Sequence, residues 1–286
     1  MLIFVEILSL KTTAMGNSVK RVLFVNSEIF PYLPESEISN IGRFLPQGIQ
    51  ERKKEIRSFM PRYGCINERK NQLHEVIRLS GMNIIINDVD RPLVIKVASI
   101  SAARMQVYFI DNEDYFHRKS IYRDENGEFF KDNGERAVFF ARGVLETVKK
   151  LRWAPDVIHC QGWISHILPL YLKKAYIDDP IFAESKIVLS LYDDIAEERF
   201  PDDLKDKIIF SGVTAQDLEI LDEPTGTNVA KLAASYADGI IMGSDKVSKE
   251  LTDFCASRGI PTLPYDAEAI SSGSYIEDYN NFYDQL

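Results

Sequence analysis

A cluster of acidic and aromatic side chains follows a predicted strand in the middle of the sequence. Residues 111–117 read DNEDYFH. Carboxylates accept hydrogen bonds from sugar hydroxyls, and aromatic rings can stack on sugar faces, so the cluster could bind a sugar. Capping of a short helix by Asp111 or Asn112 explains the same residues, because both side chains are favoured at helix N-termini.

A second polar segment, residues 192–206, is rich in carboxylates. Oxygen ligands of this kind suit a divalent cation, but the segment lacks the spacing and the glycine of an EF-hand loop. The four histidines of the chain also lack the spacing of metal ligands. We therefore interpret the segment as a solvated acidic surface and predict no metal site and no cofactor. The carboxylates are Asp193, Asp194, Glu197, Glu198, Asp202, Asp203 and Asp206.

Four predicted turns are the places to look for a ligand site: residues 27–40, residues 161–165, residues 192–198 and the region around Ser244. Residues 27–40 contain neither a Gly-x-Gly-x-x-Gly fingerprint nor a P-loop, and Glu28, Glu35 and Glu37 would oppose a phosphate at the helix N-terminus. Residues 159–163 read HCQGW, and no carboxylate in that stretch completes a nucleophile-His-acid arrangement. Neither of these two stretches indicates nucleophilic catalysis.

Composition excludes two broad classes of protein. The 286 residues include 34 Lys and Arg against 43 Asp and Glu, which gives a net charge of −9. Such a chain repels a nucleic-acid backbone, so no nucleic-acid partner is expected. Aromatic residues make up 11% of the chain, which is typical of a folded protein with a packed core and argues against an intrinsically disordered one.

The cysteines and the N-terminus bear on the compartment. Cys65, Cys160 and Cys255 are widely separated and odd in number, which favours reduced thiols and a cytoplasmic protein over a disulfide framework. The apolar stretch at the start has no preceding basic residue and is too short to span a bilayer, so we expect no membrane partner. Residues 1–18 are predicted to be a disordered extension, and the start of translation stays open between Met1 and the start-like Met15.

Strands and helices alternate along the rest of the chain, which predicts βαβ units, a mainly parallel sheet and an α/β fold. Closely spaced strands between residues 73 and 111 predict a small antiparallel insertion, and Pro46 is expected to kink or interrupt the first helix. The predicted strands are 21–26, 55–60, 73–79, 82–87, 93–100, 105–110, 156–160, 186–191 and 239–243. The predicted helices are 38–54, 132–151, 162–176, 227–236 and 244–255, the last with Ser244 as its N-cap.

Several segments, in order, resemble the glycogen/starch synthase family, retaining glucosyltransferases that extend α-1,4-glucan from ADP-glucose. Residues 22–31 (VLFVNSEIFP) resemble the opening strand and Ser-Glu-x-x-Pro turn of the family. Residues 60–64 (MPRYG) are similar to its Leu-Pro-Arg-Tyr-Gly, and residues 107–116 to its Val-Tyr-Phe-Leu-Asp-Asn-x-x-Tyr-Phe. Residues 132–140, 153–163 and 228–241 resemble further family segments. The matches extend from about residue 20 to residue 256.

The resemblance implies a fold and a division of the chain. Members of the family have the GT-B fold, in which two Rossmann-like domains enclose the active site. It implies that residues 19–260 form the N-terminal half of such a fold, a doubly wound and mainly parallel sheet. Residues 261–286 are predicted to be an acidic and aromatic tail that wraps back onto the domain or covers the cleft.

Departures from the family pattern fall at its ligand motifs. Where the family has Lys-Thr-Gly-Gly-Leu after the first strand, this chain has Pro34, Glu35, Ser36, Glu37 and Ile38, which removes a cation and adds two anions. The family's His-Asp-Trp and Ile-His-Asn are also replaced. We interpret these positions as a vestigial ligand cleft, formed by Pro34, Glu35, Ser36, Glu37, Gln161, Gly162, Trp163, Tyr192 and Asp193.

The sequence therefore predicts a glycogen/starch synthase-like protein that is non-catalytic alone and binds α-glucan or a protein partner. A protein partner would dock where the second domain of the family lies. The alternative is an active glucosyltransferase, alone or completed in trans by a second GT-B domain. The oligomeric state stays open. The residues predicted to contact glucan are Tyr63, Asp111, Asn112, Tyr115 and Phe116.

Overall fold

The computed structural model describes residues 19–286, and the extension predicted over residues 1–18 lies outside the described residues. A ten-stranded sheet runs through the centre, in the order β10-β9-β8-β7-β1-β2-β6-β5-β3, with β4 paired to β5. The strands are β1 (Arg21–Asn26), β2 (Glu55–Pro61), β3 (His74–Glu75), β4 (Met82–Ile86), β5 (Val89–Ile100), β6 (Met105–Asp111), β7 (Val157–Gln161), β8 (Lys186–Leu191), β9 (Gly239–Met242) and β10 (Thr262–Leu263).

The seven strands from β10 to β6 are all parallel, and β5 joins them antiparallel to β6. Strands β3 and β4 pair antiparallel with β5, which makes this end of the sheet the predicted insertion. The α/β fold with a mainly parallel, Rossmann-like sheet is therefore confirmed. The central residues of β1 and β8 are apolar and buried, as expected for parallel strands that helices cover on both faces.

The helices pack on the two faces of the sheet, with 3-10 turns at Ser101–Ala103, Trp163–Ser165 and Gln216–Asp222. None of the helices within residues 19–286 is long and apolar enough to cross a bilayer. The α-helices are α1 (Glu37–Glu51), α2 (Glu113–Phe116), α3 (Asn133–Leu151), α4 (Leu168–Lys174), α5 (Leu204–Ile208), α6 (Gly226–Ser235), α7 (Lys249–Ser257), α8 (Ala267–Ser272) and α9 (Tyr275–Gln285).

Alternate residues of β1 enter two different cores, because side chains along a strand point to opposite faces. Leu23 and Val25 join the larger core, which contains the inner faces of α3, α4 and α6. Val22 and Phe24 join a smaller core beneath α1 and α9. The sheet is thus covered on both sides, and its carboxyl edge is left to carry loops.

Several predicted helix boundaries are wrong. Pro46 does not interrupt α1, because its buried ring packs into the fold and offsets the missing hydrogen bond; a kink at Pro46 stays a prediction. The helix predicted over residues 162–176 divides into a 3-10 turn and α4, since Gly162 has a positive φ of 79° before the turn. The helix predicted from Ser244 begins at Lys249, and its N-cap is Ser248.

Only two residues of the strand predicted over 73–79 pair with the sheet, as β3, and the following residues form a turn. That turn is closed by hydrogen bonds from the Leu79 and Ser80 amides to the Val76 carbonyl, at 2.9 and 3.1 Å. A local turn satisfies these backbone groups without an extended partner.

The segment after residue 260 packs against the sheet and α1. Strand β10 pairs parallel with β9, and α9 buries Tyr275, Tyr279, Phe282 and Tyr283 in the smaller core. The Tyr283 hydroxyl lies 2.7 Å from Nδ1 of the buried His159 on β7. The segment therefore wraps back onto the domain, while the boundary drawn at residue 260 stays a prediction.

Candidate functional site

The residues of the predicted ligand cleft converge at the carboxyl edge of the parallel sheet, where ligands of such sheets bind. The loop after β1 carries Pro34 to Glu37, β7 ends in Gln161, and Tyr192 follows β8. The amide of Gln161 donates to the Ile38 carbonyl at 2.7 Å, which ties the end of β7 to the first turn of α1. The structure thus brings the predicted segments together at one site, which we call the cleft edge.

Gly162 allows β1 and β7 to approach each other closely at this edge. A Cβ added to Gly162 would stand 2.6 Å from Ser27 Cβ and closer still to its hydroxyl, and the residue has a φ of 79°. The Ser27 amide donates to the Gln161 carbonyl at 2.8 Å. No side chain fits there without displacing Ser27.

The N-terminus of α1 is capped by its own side chains. Ser36 and Ser39 form a reciprocal capping box, with the Ser39 amide donating to Ser36 Oγ at 3.0 Å. Ser36 Oγ also donates to a Glu28 carboxylate oxygen at 3.1 Å. Burial raises the pKa of Glu28, and the Ser36 hydrogen bond offsets part of that rise. The exposed Glu37 lies in the first turn, so acidic groups already surround the positive end of the helix.

Asp194 belongs to the cleft edge, although the predicted set of cleft residues omits it. Its carboxylate accepts a hydrogen bond from the Trp163 amide at 3.3 Å. The side chain remains accessible to solvent but lies in a concavity, and exclusion of bulk water there raises the pKa of Asp194 to about 6. The signal that could have found it is its position three residues after the end of the buried strand β8.

Asp193, which was predicted as a cleft residue, acts on the backbone. Its φ is 59°, and its carboxylate accepts a hydrogen bond from the Ser248 amide at 2.9 Å. This contact positions the start of α7, since Ser248 is the N-cap of that helix. Asp193 therefore fixes the loops on the β8 and β9 side of the cleft edge.

The remaining cleft residues are buried. The Tyr192 ring packs on Gly243, where an added Cβ would stand 2.6 Å from Tyr192 Cε1. Trp163 is 1% exposed and its ring packs against Tyr122 and Phe129, with centroids 5.0 and 5.6 Å apart. The cleft edge therefore presents chiefly Pro34, Glu35, Ser36, Glu37 and Asp194 to solvent.

The side chains predicted to contact glucan form a group beneath this surface, and each has an internal partner. The Tyr63 hydroxyl donates to the Ser27 carbonyl at 3.1 Å, and the Tyr115 hydroxyl to a Glu135 carboxylate oxygen at 2.8 Å. Asn112 caps α2. Asp111 accepts from Arg62 at 3.2 Å, and Phe116 is fully buried. These side chains position the strand ends, and a direct contact with glucan stays a prediction.

The acidic segment after β8 is partly neutralised. Glu198 pairs with Arg123, and Lys207 bridges Asp203 and Glu135 at 3.1 and 3.0 Å. Within residues 19–286 no three His, Cys, Asp or Glu side chains come together as a metal site.

The charge of the cleft edge has one sign in the three segments that form most of it. Residues 27–42, 161–172 and 190–198 contain Glu28, Glu35, Glu37 and four more carboxylates and no Lys or Arg. Arg43 and Arg199 follow two of these segments directly, and Arg123 neutralises one of the carboxylates. A helix N-terminus that meets several carboxylates offers no net attraction for an anion. The arrangement can accept hydrogen bonds from hydroxyl groups, and it disfavours a phosphate.

The fold and the sequence have counterparts among known proteins. The structure is similar to the catalytic domain of starch synthase IV from Arabidopsis thaliana bound to ADP and acarbose, with a TM-score of 0.67 and 14% identity. The match covers 86% of this chain and 51% of that chain, and it shows the fold.

Curated relatives include the glycogen synthase of Chlorobium limicola, which is 39% identical over 60% of this chain and 35% of that protein. The glycogen synthase of Chlorobium phaeobacteroides is 33% identical over 79% of this chain and 48% of that protein. The chain thus spans half or less of the length of these relatives. The sequence model of the family described as starch synthase catalytic domain matches residues 21–261, so the chain belongs to the glycogen/starch synthase family.

Proposed function

We propose that this chain binds α-glucan at the cleft edge without transferring glucose from ADP-glucose. The observation that carries the proposal is the concentration of carboxylates in segments without Lys or Arg, at the edge of the sheet where ligands bind. A neutral polyol and an anionic nucleotide respond to that charge in opposite ways.

A nucleotide sugar brings a diphosphate, which the cleft edge repels. Two like charges 4 Å apart interact unfavourably by about 1 kcal/mol in bulk water and about 4 kcal/mol near a protein surface. Glu35 and Glu37 stand where the resemblance places a lysine-and-glycine motif. Loss of a single preorganised contact to a developing charge typically costs about 100- to 1000-fold in rate. These substitutions support the loss of catalysis.

A glucan presents neutral hydroxyl groups, which donate hydrogen bonds to carboxylates. Glu35, Glu37 and Asp194 are exposed at the cleft edge and can accept such bonds. Hydrogen bonds to charged acceptors are roughly twice as strong as those between neutral groups. The charge that disfavours a diphosphate therefore favours a sugar.

A protein partner at this surface is the second candidate from the sequence. It predicts an exposed apolar face. Among the described residues, Phe44 is the one large exposed apolar side chain that shares a groove with a cleft-edge residue, Glu37; the others are Ile77, Ile85, Val89, Ile177 and Ile209. The polar character of the cleft edge favours glucan over a hydrophobic protein interface.

An active glucosyltransferase is the third candidate, and family membership favours it. The relatives named glycogen synthase extend well beyond the part that this chain matches. Activity of this chain, alone or with a second domain in trans, would require a diphosphate to be held against the acidic cleft edge. We therefore rank it below glucan binding.

Retardation of the chain in native gels that contain glycogen tests the proposal. We expect glycogen to retard the unaltered protein. The Glu35→Gln, Glu37→Gln double variant should bind with a dissociation constant at least about five-fold higher, because charged acceptors are replaced by neutral ones. The matched control is Glu125→Gln with Glu219→Gln, which removes two exposed carboxylates outside the cleft edge. Equal migration of the unaltered protein with and without glycogen contradicts the proposal. An equal loss of glycogen affinity in the control variant also contradicts it.

A further inference from the structure

A separate cavity of about 420 Å³ lies between the loop after β1 and the antiparallel insertion. Its walls come from Tyr32, from residues 70–74 before β3, and from the end of β5 with the turn that follows. Cavities of roughly 300 to 1,000 Å³ hold small molecules in proteins. It shares the loop after β1 with the cleft edge through Pro31 and Tyr32, but neither Glu35, Glu37 nor Asp194 lines it, so it is a distinct candidate site.

Polar side chains that bind anions converge on this cavity. Lys70 and His74 line it together with Asn71, Ser99 and Ser101. A lysine contributes a compact positive charge, an imidazole contributes a donor, and hydroxyl and amide groups add further donors. This combination matches the oxygens of a phosphate or a carboxylate.

The charge of the cavity contrasts with that of the whole chain. The chain carries −9, yet no Asp or Glu is among the described residues that line the cavity. Lys70 forms no ion pair within residues 19–286, whereas Lys96 nearby is bound to Glu68 at 2.7 Å. Glu75 follows His74 in β3, and side chains alternate between faces along a strand, so its carboxylate points away from His74.

Local backbone structure positions the two residues that carry the basic side chains. Gln72 has a φ of 54°, and the turn is closed by hydrogen bonds from the Asn71 amide to the Asn67 carbonyl at 3.1 Å and from the Leu73 amide to the Glu68 carbonyl at 3.0 Å. His74 then pairs with Val97 of β5, two residues before Ser99. The backbone that carries the basic and hydroxyl groups is thus held by regular hydrogen bonding on both sides of the cavity.

Tyr32 adds a second, independent observation. It is 7% exposed and lines the cavity, and its hydroxyl is buried without a hydrogen-bond partner among the described residues. Native proteins leave few buried polar groups unpaired, and an unpaired one marks a place where a ligand or solvent group completes the site.

We infer that this cavity binds a small organic anion, a phosphate monoester or a carboxylate with a polar body. Lys70 and His74 contact the anionic group, and Asn71, Ser99 and Ser101 hydrogen-bond the anion and the polar body. The site is independent of the cleft edge, so its occupation does not depend on glucan binding.

Isothermal titration calorimetry of the full chain tests the inference with three probes: glycerol 3-phosphate, succinate and glycerol. We expect binding of at least one anion and none of glycerol. Lys70→Gln and His74→Gln should each raise the dissociation constant of the anion by about three- to ten-fold, which is the effect of losing one charge-assisted contact of about 1 kcal/mol. Binding of glycerol 3-phosphate alone assigns a phosphate site, and binding of succinate alone assigns a carboxylate site.

The matched control is Lys131→Gln, which removes an equal charge at an exposed position outside the cavity. Both cavity substitutions are at exposed side chains, so circular dichroism should show an unchanged fold. Absence of heat with both anions overturns the inference. Equal weakening by Lys131→Gln also overturns it, because the binding would then follow net charge and not this site.

Discussion

Gly162 and Ser27 set the geometry of the cleft edge at the scale of single residues. The positive φ of Gly162 turns the chain out of β7, and its bare Cα lets the Ser27 side chain pack against it. Sequence reasoning placed Gly162 in the cleft from the family resemblance. It could not find the contact with Ser27, because the two residues are 135 positions apart and meet only through sheet pairing.

Gly162→Ala should destabilise the protein by about 2 to 5 kcal/mol, the sum of left-handed strain and overpacking against Ser27. Gly127→Ala is the matched control. Gly127 has a φ of 83°, but an added Cβ there meets no atom within 4 Å, so about 1 to 2 kcal/mol is expected. Urea unfolding measures both. Equal losses would show that Ser27 does not confine this position.

Asp194 gives the cleft edge a pH dependence. Its pKa is raised to about 6 by exclusion of solvent, so the folded state holds a proton that the unfolded chain releases near pH 4. Its contribution to stability therefore falls as pH rises from about 4 to 6. Asp194→Asn should gain stability relative to the unaltered protein across that window. If the difference in the free energy of unfolding between Asp194→Asn and the unaltered protein does not change with pH between 4 and 7, the shifted pKa is contradicted.

Helix α9 and strand β7 are linked at the scale of secondary-structure elements. His159 lies between the Tyr283 hydroxyl and Ser190 Oγ, each 2.7 Å from a ring nitrogen. Burial lowers the pKa of His159 to about 3, which keeps the ring neutral at physiological pH. This buried chain of hydrogen bonds attaches the C-terminal helix to the centre of the sheet.

Tyr283→Phe should cost about 1 to 3 kcal/mol, because a His159 nitrogen is left buried without a partner. Tyr275→Phe is the control on the same helix, since the Tyr275 hydroxyl makes no hydrogen bond with residues 19–286 and should change stability by less than about 0.5 kcal/mol. Thermal and urea unfolding measure the difference. Equal effects would show that the His159 contact does not anchor α9.

Strands were predicted better than helix boundaries, and the reason is physical. The apolar runs of β1 and β8 are buried on both faces, so the sequence alone locates them correctly. The start of α7 depends on Asp193, which accepts from the Ser248 amide 55 residues further along the chain. Helix α9 was not predicted, because its alternating acidic and aromatic residues become an apolar face only against α1.

The whole molecule combines a scaffold typical of its family with an acidic cleft edge. Family membership and the parallel sheet could be recognised from ordered motifs along the chain. The burial of Tyr63 and Tyr115 and the cavity beside Lys70 could not, because they arise from packing between distant segments. The negative charge at Glu28, Glu35 and Glu37 was visible in the sequence, and the structure adds Asp194 to the same edge.

Transfer of labelled glucose from ADP-glucose to glycogen tests the central claim most directly. The chain should incorporate no more label than a sample without protein, while the same preparation is retarded by glycogen in a native gel. The acidic cleft edge predicts this separation of binding from transfer, because it accepts hydroxyl groups and repels a diphosphate. Incorporation above the protein-free control, proportional to the concentration of the chain, would contradict the account.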